Sequence, residues 1–258
     1  MRVAALEAWA TESGFESGKN SHSMNSDRTL IAIPTYNERE NVGPLVADLF
    51  RIVPEADVLL VDDNSSDGTI TVAQQMFGSD RRFSAVTRRG PRSFGQSLLD
   101  AYQIAVNRGY TRLVQMDADF SHDPQAVPKL IAASDNADLV IGSRYCEGGK
   151  TANWPRRRRL LSWFANGYVS LITGIGVADS TAGFRCWRRN ALEHLLEVGL
   201  NSEGYAFQVE TVFQIQRAGL RIVEVPITFT DRRAGQSKMS GKVIFESVLK
   251  PWALRFGR

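Results

Sequence analysis

The stretch Val58–Thr69, with the sequence VLLVDDNSSDGT, decides the fold. Its first four residues are apolar and typical of a buried strand, an acidic and serine-rich turn follows, and Gly68 opens a helical pattern. The same succession of apolar run, polar turn and helix occurs earlier, from Thr29 to Ile52, and later, from Leu113 to a helix near Pro124. Strands and helices that alternate at this pitch predict an α/β fold built on a parallel sheet.

The rest of the chain adds elements of both kinds. We predict strands at 29–33 (ended by Pro34), 58–61, 83–87, 113–116, 139–142 and 181–187, and an extended segment at 222–229 bent at Pro226. We predict helices at 41–52, 68–76, 94–107, from Pro124, and at 156–172, 205–218 and 241–254, with a loop at 148–155. These elements indicate a Rossmann-like, mostly parallel sheet with helices on both faces and a smaller C-terminal elaboration.

Length and composition bound the number of domains. The chain has 258 residues, 43% of them hydrophobic, and a net charge of +3, as expected of one large globular domain without a nucleic-acid partner. Residues 1–28 lack a signal-peptide pattern and are interpreted as a flexible extension, 29–238 as the domain, and 239–258 as an amphipathic C-terminal helix. The two cysteines, Cys146 and Cys186, are expected to be reduced thiols.

Polar clusters follow the predicted strands at 35–38, 62–67, 117–122 and 143–144. Because the carboxyl ends of parallel strands share one edge of a sheet, we expect these clusters to form one site. Asp117 and Asp119 project to the same side of an extended chain, so both carboxylates can reach one Mg²⁺ or Mn²⁺ ion. A simple strand-end turn is the alternative for each cluster taken alone. The glycine-rich fingerprints of dinucleotide and P-loop sites are missing from the sequence.

These motifs together resemble glycosyltransferase family 2, whose members are inverting enzymes with the GT-A fold. Within it the chain most resembles the dolichol- or polyprenol-phosphate mannosyltransferases. The resemblance runs from about Leu30 to Lys238 and rests on the segments IPTYNE (33–38), VDDNSSDGT (61–69), MDAD (116–119), GSR (142–144), DSTAGF (179–184), GYAFQ (204–208) and EVPI (224–227). It implies transfer of mannose from GDP-mannose to a polyprenyl monophosphate.

The resemblance also implies roles for individual residues on the donor side. Binding of the guanosine part of GDP-mannose falls to Pro34, Tyr36, Glu38, Val61 and Asp63. Asp117 and Asp119 would bind the metal and the diphosphate beside the backbone of Ala118, and Arg144 would contact the donor, so these two aspartates and Arg144 are the expected catalytic residues. Ser121 stands where relatives carry a glutamine that helps to ligate the metal.

The acceptor side requires cations rather than a base. A phosphate monoester is mostly dianionic at pH 7 and needs no strong general base, so the absence of an obvious catalytic histidine is no obstacle, and His122 is expected to have a supporting role. Arg158 and Ser162 share a helix face and are expected to hold the acceptor phosphate. Arg232 and Lys238 lie in a segment expected to close over the phosphates of donor and acceptor. Arg156 and Arg157 are expected to be solvated or attracted to lipid.

Two helices carry signals of a membrane surface. Residues 160–178 contain no charge but are too polar to span a bilayer, and they directly follow four arginines at 156–159. The last helix mixes apolar and basic residues. Packing against the domain is the alternative for both. We expect an enzyme peripherally associated with the cytoplasmic face of the membrane, without a spanning helix, for which a membrane-anchoring protein partner is possible.

Three alternatives remain at this point. A family 2 transferase that uses another donor, such as UDP-glucose, on a polyprenyl phosphate would have the same motifs. A phospho-acceptor receiver module has a similar sheet but leaves residues 143–238 without a role. A lipid-binding adaptor that has lost catalysis is disfavoured by the intact Asp117, Asp119 and Arg144.

Overall fold

A computed structural model describes residues 27–231 and 241–257, the first seven residues of the latter segment as backbone only. The strands are β1 (Thr29–Thr35), β2 (Asp57–Asp62), β3 (Phe83–Thr87), β4 (Arg112–Gln115), β5 (Leu139–Ser143), β6 (Lys150–Thr151), β7 (Arg185–Arg188), β8 (Ile222–Pro226) and β9 (Thr228–Phe229). The α-helices are α1 (Arg39–Ile52), α2 (Thr69–Phe77), α3 (Phe94–Asn107), α4 (Val127–Ala133), α5 (Arg156–Thr173), α6 (Arg189–Val198), α7 (Gly204–Arg217) and α8 (Gly241–Phe256). Single 3₁₀ turns, Pro124–Ala126 and Ser134–Asn136, flank α4.

The main sheet has seven strands in the order β3-β2-β1-β4-β7-β5-β8. All neighbouring strands are parallel except β7, which is antiparallel to both β4 and β5. A second, two-stranded sheet pairs β6 with β9. The predicted α/β fold with a mostly parallel sheet is therefore confirmed.

Helices cover both faces of this sheet because side chains alternate along each strand. In β1, Leu30 and Ala32 face a core that α3, α6 and α7 complete, whereas Ile31 and Ile33 face a second core completed by α1, α2 and α4. All four side chains are fully buried. A strand that is buried on both faces is a continuous run of apolar residues in the sequence, which is why these strands could be predicted.

Among the predicted boundaries that were wrong, three have a clear physical cause. β1 continues through Pro34 to Thr35, and Pro34 pairs with Val61 of β2. A proline is tolerated there because pairing of β1 with β4 ends at Ala32, which leaves one edge of β1 unpaired beyond that point. The predicted loop at 148–155 contains β6, whose partner β9 lies almost 80 residues away in the chain and gives no local signal.

The predicted strand at 181–187 begins only at Arg185. The residues before it form a turn. The Arg185 side chain donates hydrogen bonds to the carbonyl oxygens of Ser180 and Ala182, so these oxygens are paired without a neighbouring strand. Helix α6 was not predicted, although Ala191, Leu192 and Leu195 are buried at helical spacing.

The ends of the described segments bear on several predictions. Asp27 and Arg28 form ion pairs with Arg112 and Asp57, so these two residues of the predicted extension are attached to the domain. Residues 1–26 lie outside the described residues, as do Arg232 and Lys238. Within the described part of the chain, no helix combines the length and apolarity needed to cross a bilayer.

Candidate functional site

The predicted polar clusters meet at one edge of the sheet. The chain leaves β1 toward β2 and β3 on one side and later returns to place β4 on the other side, so the strand order switches between β1 and β4. A crevice opens at such a switch, at the carboxyl ends of the strands, and it is where ligands bind in this type of sheet. The motifs after β1, β2, β4 and β5 all border this edge, which we call the rim.

The backbone of the rim has left-handed residues after three strands and is strained at one of them, Phe120. Three non-glycine residues have left-handed φ angles, namely Asn37 after β1 (55°), Asn64 after β2 (60°) and Phe120 after β4 (59°). Asparagine accepts this conformation readily, whereas it is unfavourable for phenylalanine. Strain of this kind, which costs about 1–3 kcal/mol per residue, persists where the surrounding structure imposes it, and functional sites are common places for it.

The two aspartates after β2 are used differently. Asp62 accepts hydrogen bonds from the hydroxyl of Thr35 and from the backbone and hydroxyl of Ser65, so it ties the ends of β1 and β2 together. Asp63 pairs with the buried Arg88 and accepts from the backbone N–H of Ser93 at 2.7 Å. Asp63, predicted to hold the nucleotide, is therefore also anchored within the protein at the crevice edge.

The remaining residues predicted to hold the nucleoside border the same edge. Pro34 and Val61 are paired across β1 and β2, and Tyr36 is partly exposed, with the Arg92 guanidinium 4.2 Å above its ring. Glu38 accepts a hydrogen bond from the side chain of Asn41 at 2.8 Å.

The MDAD motif ends β4 in a tightly bonded turn. Asp119 is buried, and its Oδ1 accepts hydrogen bonds from the backbone (3.0 Å) and hydroxyl (2.6 Å) of Ser121. The backbone N–H of Asp117 donates to Nδ1 of His122 at 3.1 Å. Burial lowers the pKa of His122, and this effect outweighs the negative charges of Asp117 and Asp119, which raise it, so the imidazole is neutral. Because Nδ1 accepts a hydrogen bond, the proton is on Nε2. His122 thus supports the motif, as predicted.

The donor set of this turn suits a hard cation. Asp117, Asp119 and Ser121 offer only oxygen atoms, which are the ligands that Mg²⁺ and Mn²⁺ prefer. The described residues contain no cluster of three or more histidine, cysteine, aspartate or glutamate side chains able to hold a metal. A cation at this turn would therefore depend on further oxygen atoms, such as those of a phosphate.

The antiparallel direction of β7 brings a third segment to the rim. Arg185, the first residue of β7, pairs with Gln115 at the end of β4 and with Ile141 near the end of β5. Residues 179–184, which precede it, therefore lie between the MDAD turn and Arg144. Asp179 is fully buried there and accepts three hydrogen bonds from Arg144, one from the backbone (2.9 Å) and two from the guanidinium (2.7 and 2.6 Å).

This ion pair fixes the position of the Arg144 side chain. Burial opposes the charge, but the hydrogen bonds and negative charge of Asp179 outweigh it, and the pKa of Arg144 is raised above its ordinary value. Glu224 of β8 in turn accepts from the backbone N–H groups of Ala178 and Asp179. Among the described residues, none accepts a hydrogen bond from Nη1 of Arg144, so one end of the guanidinium is left for a ligand.

A second arginine lies on the same side of the site. The guanidinium of Arg158, in the first turn of α5, lies 4.1 Å from the ring centroid of Trp154, and that of Arg144 lies 5.6 Å from the same ring. Arg158 also forms a 3.0 Å ion pair with Asp231. Both partners of this pair are more than 40% exposed. Ser162 follows one turn later on α5 and is partly buried.

Helix α5 connects this site to an exposed apolar surface. Of its 18 residues, only Asn166, Val169 and Thr173 are buried. Asn166 donates to the hydroxyl of Thr181, which also accepts from Arg144. The opposite side of the helix exposes large apolar side chains, and α8 adds more beside it; we call these residues the apolar surface: Leu160, Leu161, Trp163, Phe164, Leu171, Val248, Leu249, Trp252 and Phe256.

The structure thus brings most of the predicted site residues together and adds others. Asp179, Glu224 and Phe184 were noticed only as parts of motifs, with no role assigned, and Trp154 and Phe229 were not noticed. The ring of Phe229 contacts both Trp154 (5.3 Å) and His122 (5.4 Å), so aromatic contacts link the two sides of the site. Neither aromatic residue has a local sequence signal, because its partners are distant in the chain.

The chain is similar to known glycosyltransferases. Residues 30–196 match the family described as Glycosyl transferase family 2. The chain is 43% identical over 234 residues to the polyprenol monophosphomannose synthase of Mycolicibacterium smegmatis, covering 89% of this chain and 88% of that protein. It is also 43% identical over 222 residues to the undecaprenyl-phosphate mannosyltransferase of Micrococcus luteus, covering 86% of this chain and 91% of the relative.

Solved structures with a similar fold include glucosyl-3-phosphoglycerate synthase from Mycobacterium tuberculosis. Its complex with phosphoglyceric acid superposes with a TM-score of 0.69 at 16% identity, covering 89% of this chain and 80% of the other. Its complex with Mn²⁺, uridine diphosphate and phosphoglyceric acid has a TM-score of 0.67 at 18% identity, covering 90% and 79%. The length of the family match and the identity to the two relatives show that the chain belongs to glycosyl transferase family 2.

Proposed function

We propose that the chain transfers mannose from GDP-mannose to a polyprenyl monophosphate, with inversion, at the cytoplasmic surface of a membrane and with Mg²⁺ or Mn²⁺ bound. Both 43% identical relatives carry names that denote mannosyl transfer to a polyprenyl phosphate. The observation that carries the proposal is the placement of the Asp117–Asp119 turn, Arg144 and Arg158 on one rim, directly beside the apolar surface.

The donor would lie in the crevice between β1 and β4. Pro34, Tyr36, Glu38, Val61 and Asp63 border the end that we assign to the nucleoside. Asp117 and Asp119, with Ser121 as a third oxygen ligand or as the group that orients Asp119, would hold the metal. When bound, the metal would neutralise the diphosphate and stabilise the GDP leaving group.

The acceptor phosphate would lie near the two arginines that face Trp154. An exposed ion pair contributes at most about 1 kcal/mol, so Arg158 can exchange Asp231 for a dianionic phosphate at little cost. Arg144 is held by Asp179, and its Nη1, from which no described residue accepts a hydrogen bond, would contact the donor beside the acceptor phosphate. The hydroxyl of Tyr145 and the indole N–H of Trp154 are buried near Arg144, and no described residue pairs with either. The guanidinium groups of Arg158 and Arg144 thus lie 4.1 and 5.6 Å from the Trp154 ring, and two buried polar hydrogens near Arg144 lack a partner among the described residues.

The chemistry of the acceptor fits a site without a strong base. A phosphate monoester has a second pKa near 6, so its oxygen is already a nucleophile at neutral pH. That oxygen would attack the anomeric carbon of mannose while the bond from this carbon to the phosphate oxygen of GDP breaks, which yields a β-linked mannosyl phosphate and GDP. Arg158, Ser162 and, from the segment outside the described residues, Arg232 and Lys238 would offset the repulsion between donor and acceptor.

The apolar surface would contact the bilayer that holds the acceptor. Large apolar side chains cover one side of α5, directly after four consecutive arginines, and this arrangement is typical of an interfacial helix on an anionic membrane. A membrane-anchoring protein partner remains part of the proposal.

The test is a transfer assay with the purified chain. We expect labelled GDP-mannose, polyprenyl phosphate and Mg²⁺ to give label extractable into organic solvent, and chelation of the metal to abolish it. Asp119→Ala should reduce transfer by at least a hundredfold because a charged metal ligand is lost. Asp123→Ala, which removes an exposed carboxylate four residues away, is the matched control and should retain transfer.

Two outcomes would contradict the proposal. Lipid-extractable label from UDP-glucose but not from GDP-mannose would establish the alternative donor. Full activity of the Asp119→Ala variant, or full activity of the unaltered chain in the presence of a chelator, would show that transfer does not depend on a metal.

A further inference from the structure

Glu203, the last residue before α7, has a carboxylate that the proposed function does not use. It accepts hydrogen bonds from the hydroxyl of Ser93 and from the backbone N–H of Gly95, the latter at 3.1 Å. Ser93 and Gly95 lie at the start of α3, which follows β3 and therefore begins at the rim. Glu203 thus joins the starts of two helices across 110 positions of the chain.

The contact between these two helix starts is close. A Cβ atom added to Gly95 would lie 2.7 Å from the carbonyl oxygen of Ser202 and 3.0 Å from the ring of Phe207, so glycine is needed at this position. The backbone N–H of Ser202 donates at 3.0 Å to the buried carboxylate of Glu210 on α7. The segment that carries Glu203 is therefore held by its own contacts and can support the start of α3.

Ser93 links this contact to the end of the site that we assign to the nucleoside. Its hydroxyl oxygen caps α3 by accepting from the backbone N–H of Gln96 at 2.9 Å, which leaves the hydroxyl hydrogen for Glu203. Its own backbone N–H donates to Oδ2 of Asp63 at 2.7 Å. The position of Ser93 therefore determines where one oxygen of Asp63 lies.

The loop between β3 and α3, residues 88–93, contacts two of the residues assigned to the nucleoside. Its first residue, the buried Arg88, donates to Oδ1 of Asp63. The guanidinium of Arg92 lies 4.2 Å from the ring centroid of Tyr36. The loop thus holds both oxygens of Asp63 and covers one face of Tyr36. An ionised carboxylate has about four acceptor positions, so Asp63 can still accept a hydrogen bond from a ligand.

We propose that Glu203 is a positioning residue for the donor nucleotide. Through Ser93 it fixes the end of the loop 88–93, and with this loop it fixes Asp63 and Tyr36 in the arrangement that binds the nucleoside. A carboxylate suits this task because it accepts from a hydroxyl and an N–H group at the start of a helix, where negative charge is favourable. An arrangement that is fixed before the ligand arrives lowers the cost of binding. The inference rests on the proposed function, which assigns the nucleoside to this end of the site.

The first test compares Glu203→Ala with Glu203→Gln. Binding of GDP in the presence of Mg²⁺ is measured by calorimetry, and the transfer assay gives KM for the donor and kcat. Glu203→Ala should bind GDP at least fivefold more weakly and raise KM by a similar factor, because two charge-assisted hydrogen bonds to α3 are lost. The value of kcat should stay within twofold, since Glu203 has no bond to the Asp117–Asp119 turn or to Arg144.

Glu203→Gln should restore GDP binding to within twofold of the unaltered chain. Its amide oxygen can accept from the N–H of Gly95, and its NH₂ group can donate to the hydroxyl oxygen of Ser93, so both links to α3 are kept without the charge.

The second test asks whether Glu203 acts through Ser93. Ser93→Ala should also weaken GDP binding, and the double variant Ser93→Ala, Glu203→Ala should bind no more than twofold more weakly than Ser93→Ala alone. Losses that multiply in the double variant would overturn the inference, because Glu203 would then act by a separate route.

Asp138→Ala is the matched control. Asp138 also accepts from one backbone N–H, that of Arg221, and from one side chain, that of Asn190, both at 2.7 Å. It joins two elements at the opposite end of the sheet, because it precedes β5. This variant should lower the melting temperature and leave GDP binding and KM unchanged. An equal loss of GDP binding in this variant would overturn the inference.

The inference is also overturned if Glu203→Ala binds GDP within twofold of the unaltered chain, because the loop is then held without this residue. A lower kcat with an unchanged KM in Glu203→Ala would overturn it as well, since Glu203 would then stabilise only α3. If the unaltered chain binds UDP and not GDP, the donor of the proposed function is wrong, and the same comparisons made with UDP decide whether Glu203 positions the loop.

Discussion

At the scale of single residues, two arginine–aspartate ion pairs differ in how strongly they are held, because one is buried and the other is exposed. Arg144 and Asp179 are almost completely buried, whereas Arg158 and Asp231 are largely in contact with solvent. Breaking a buried pair leaves an uncompensated charge and costs about 3–5 kcal/mol, but an exposed pair is worth less than about 1 kcal/mol. The first pair is therefore a fixed part of the site, and the second can open for a ligand.

Asp179→Asn tests the fixed pair. We expect the free energy of unfolding to fall by about 3 kcal/mol, because the buried guanidinium loses its counter-charge, and transfer to fall by at least a hundredfold. Urea unfolding and the transfer assay measure the two effects.

The control for this substitution is Asp48→Asn, which removes the carboxylate of an exposed ion pair with Arg51 on α1. It should change stability by less than about 1 kcal/mol and leave transfer unchanged. Equal stability changes in the two variants would contradict the assignment of Asp179.

The identities of these residues were visible in the sequence, but their pairing was not. The resemblance to the family implied that Arg144 contacts the donor, and DSTAGF was noticed as a motif. Nothing in the sequence indicated that Asp179, 35 positions later, would bind Arg144. The reason is the reversed direction of β7, which carries residues 179–184 back to the rim and cannot be inferred from local patterns.

At the scale of elements, α5 differs from the other helices of the domain. Apart from α8, which also contributes to the apolar surface, the other helices bury most of their apolar side chains, whereas α5 buries three residues and exposes Trp163 and Phe164 to more than 60%. Packing against the domain, the alternative considered from sequence, accounts for only one narrow side of this helix.

Trp163→Asp combined with Phe164→Asp tests the role of this surface. We expect binding to vesicles that contain anionic phospholipid to weaken at least tenfold, since burying each aromatic side chain in the bilayer contributes about 1.5–3 kcal/mol. Cosedimentation with vesicles measures this binding. Transfer to a short, water-soluble prenyl phosphate should be retained.

Met76→Asp is the matched control for this double substitution. It replaces an apolar side chain that is 54% exposed on α2, away from the four arginines. Equal loss of vesicle binding in this variant, or unchanged binding in the double variant, would exclude α5 as the membrane contact.

The elements themselves were predictable to different degrees. β3 and α3 have the predicted ends because turn-forming residues bound them on both sides. β6 and β9 are two residues each and exist only through their mutual pairing, so a local pattern has nothing to detect. Strand order was likewise beyond the sequence, since parallel strands of similar apolar composition have no visible preference for a neighbour.

At the scale of the whole molecule, three buried acids make stability sensitive to alkaline pH. Burial raises the pKa of Cys186 to about 11 and raises the pKa values of Tyr102 and Tyr110 above their ordinary range. The folded state therefore keeps protons that the unfolded chain releases. The stability that Cys186 contributes is present below pH 9 and is lost as the pH rises through about 11. The two tyrosines add a loss that begins above their ordinary pKa of 10.0.

We predict a decrease in the free energy of unfolding between pH 9 and pH 11, to which Cys186 contributes up to about 3 kcal/mol. Urea titrations at several pH values measure it. In Cys186→Ala the decrease should be smaller over this interval. A decrease of the same size in this variant would show that the thiol takes no part.

The reversed strand β7 also sets the span of the site. It lies between β4 and β5, so the turn that bears Asp117 and the loop that bears Arg144 are separated by two strand spacings, about 10 Å. A direct β4–β5 pairing would halve that gap and bring carboxylate and guanidinium close enough to neutralise each other. With β7 in between, we expect the carboxylate and the guanidinium to meet different parts of a bound phosphosugar rather than each other.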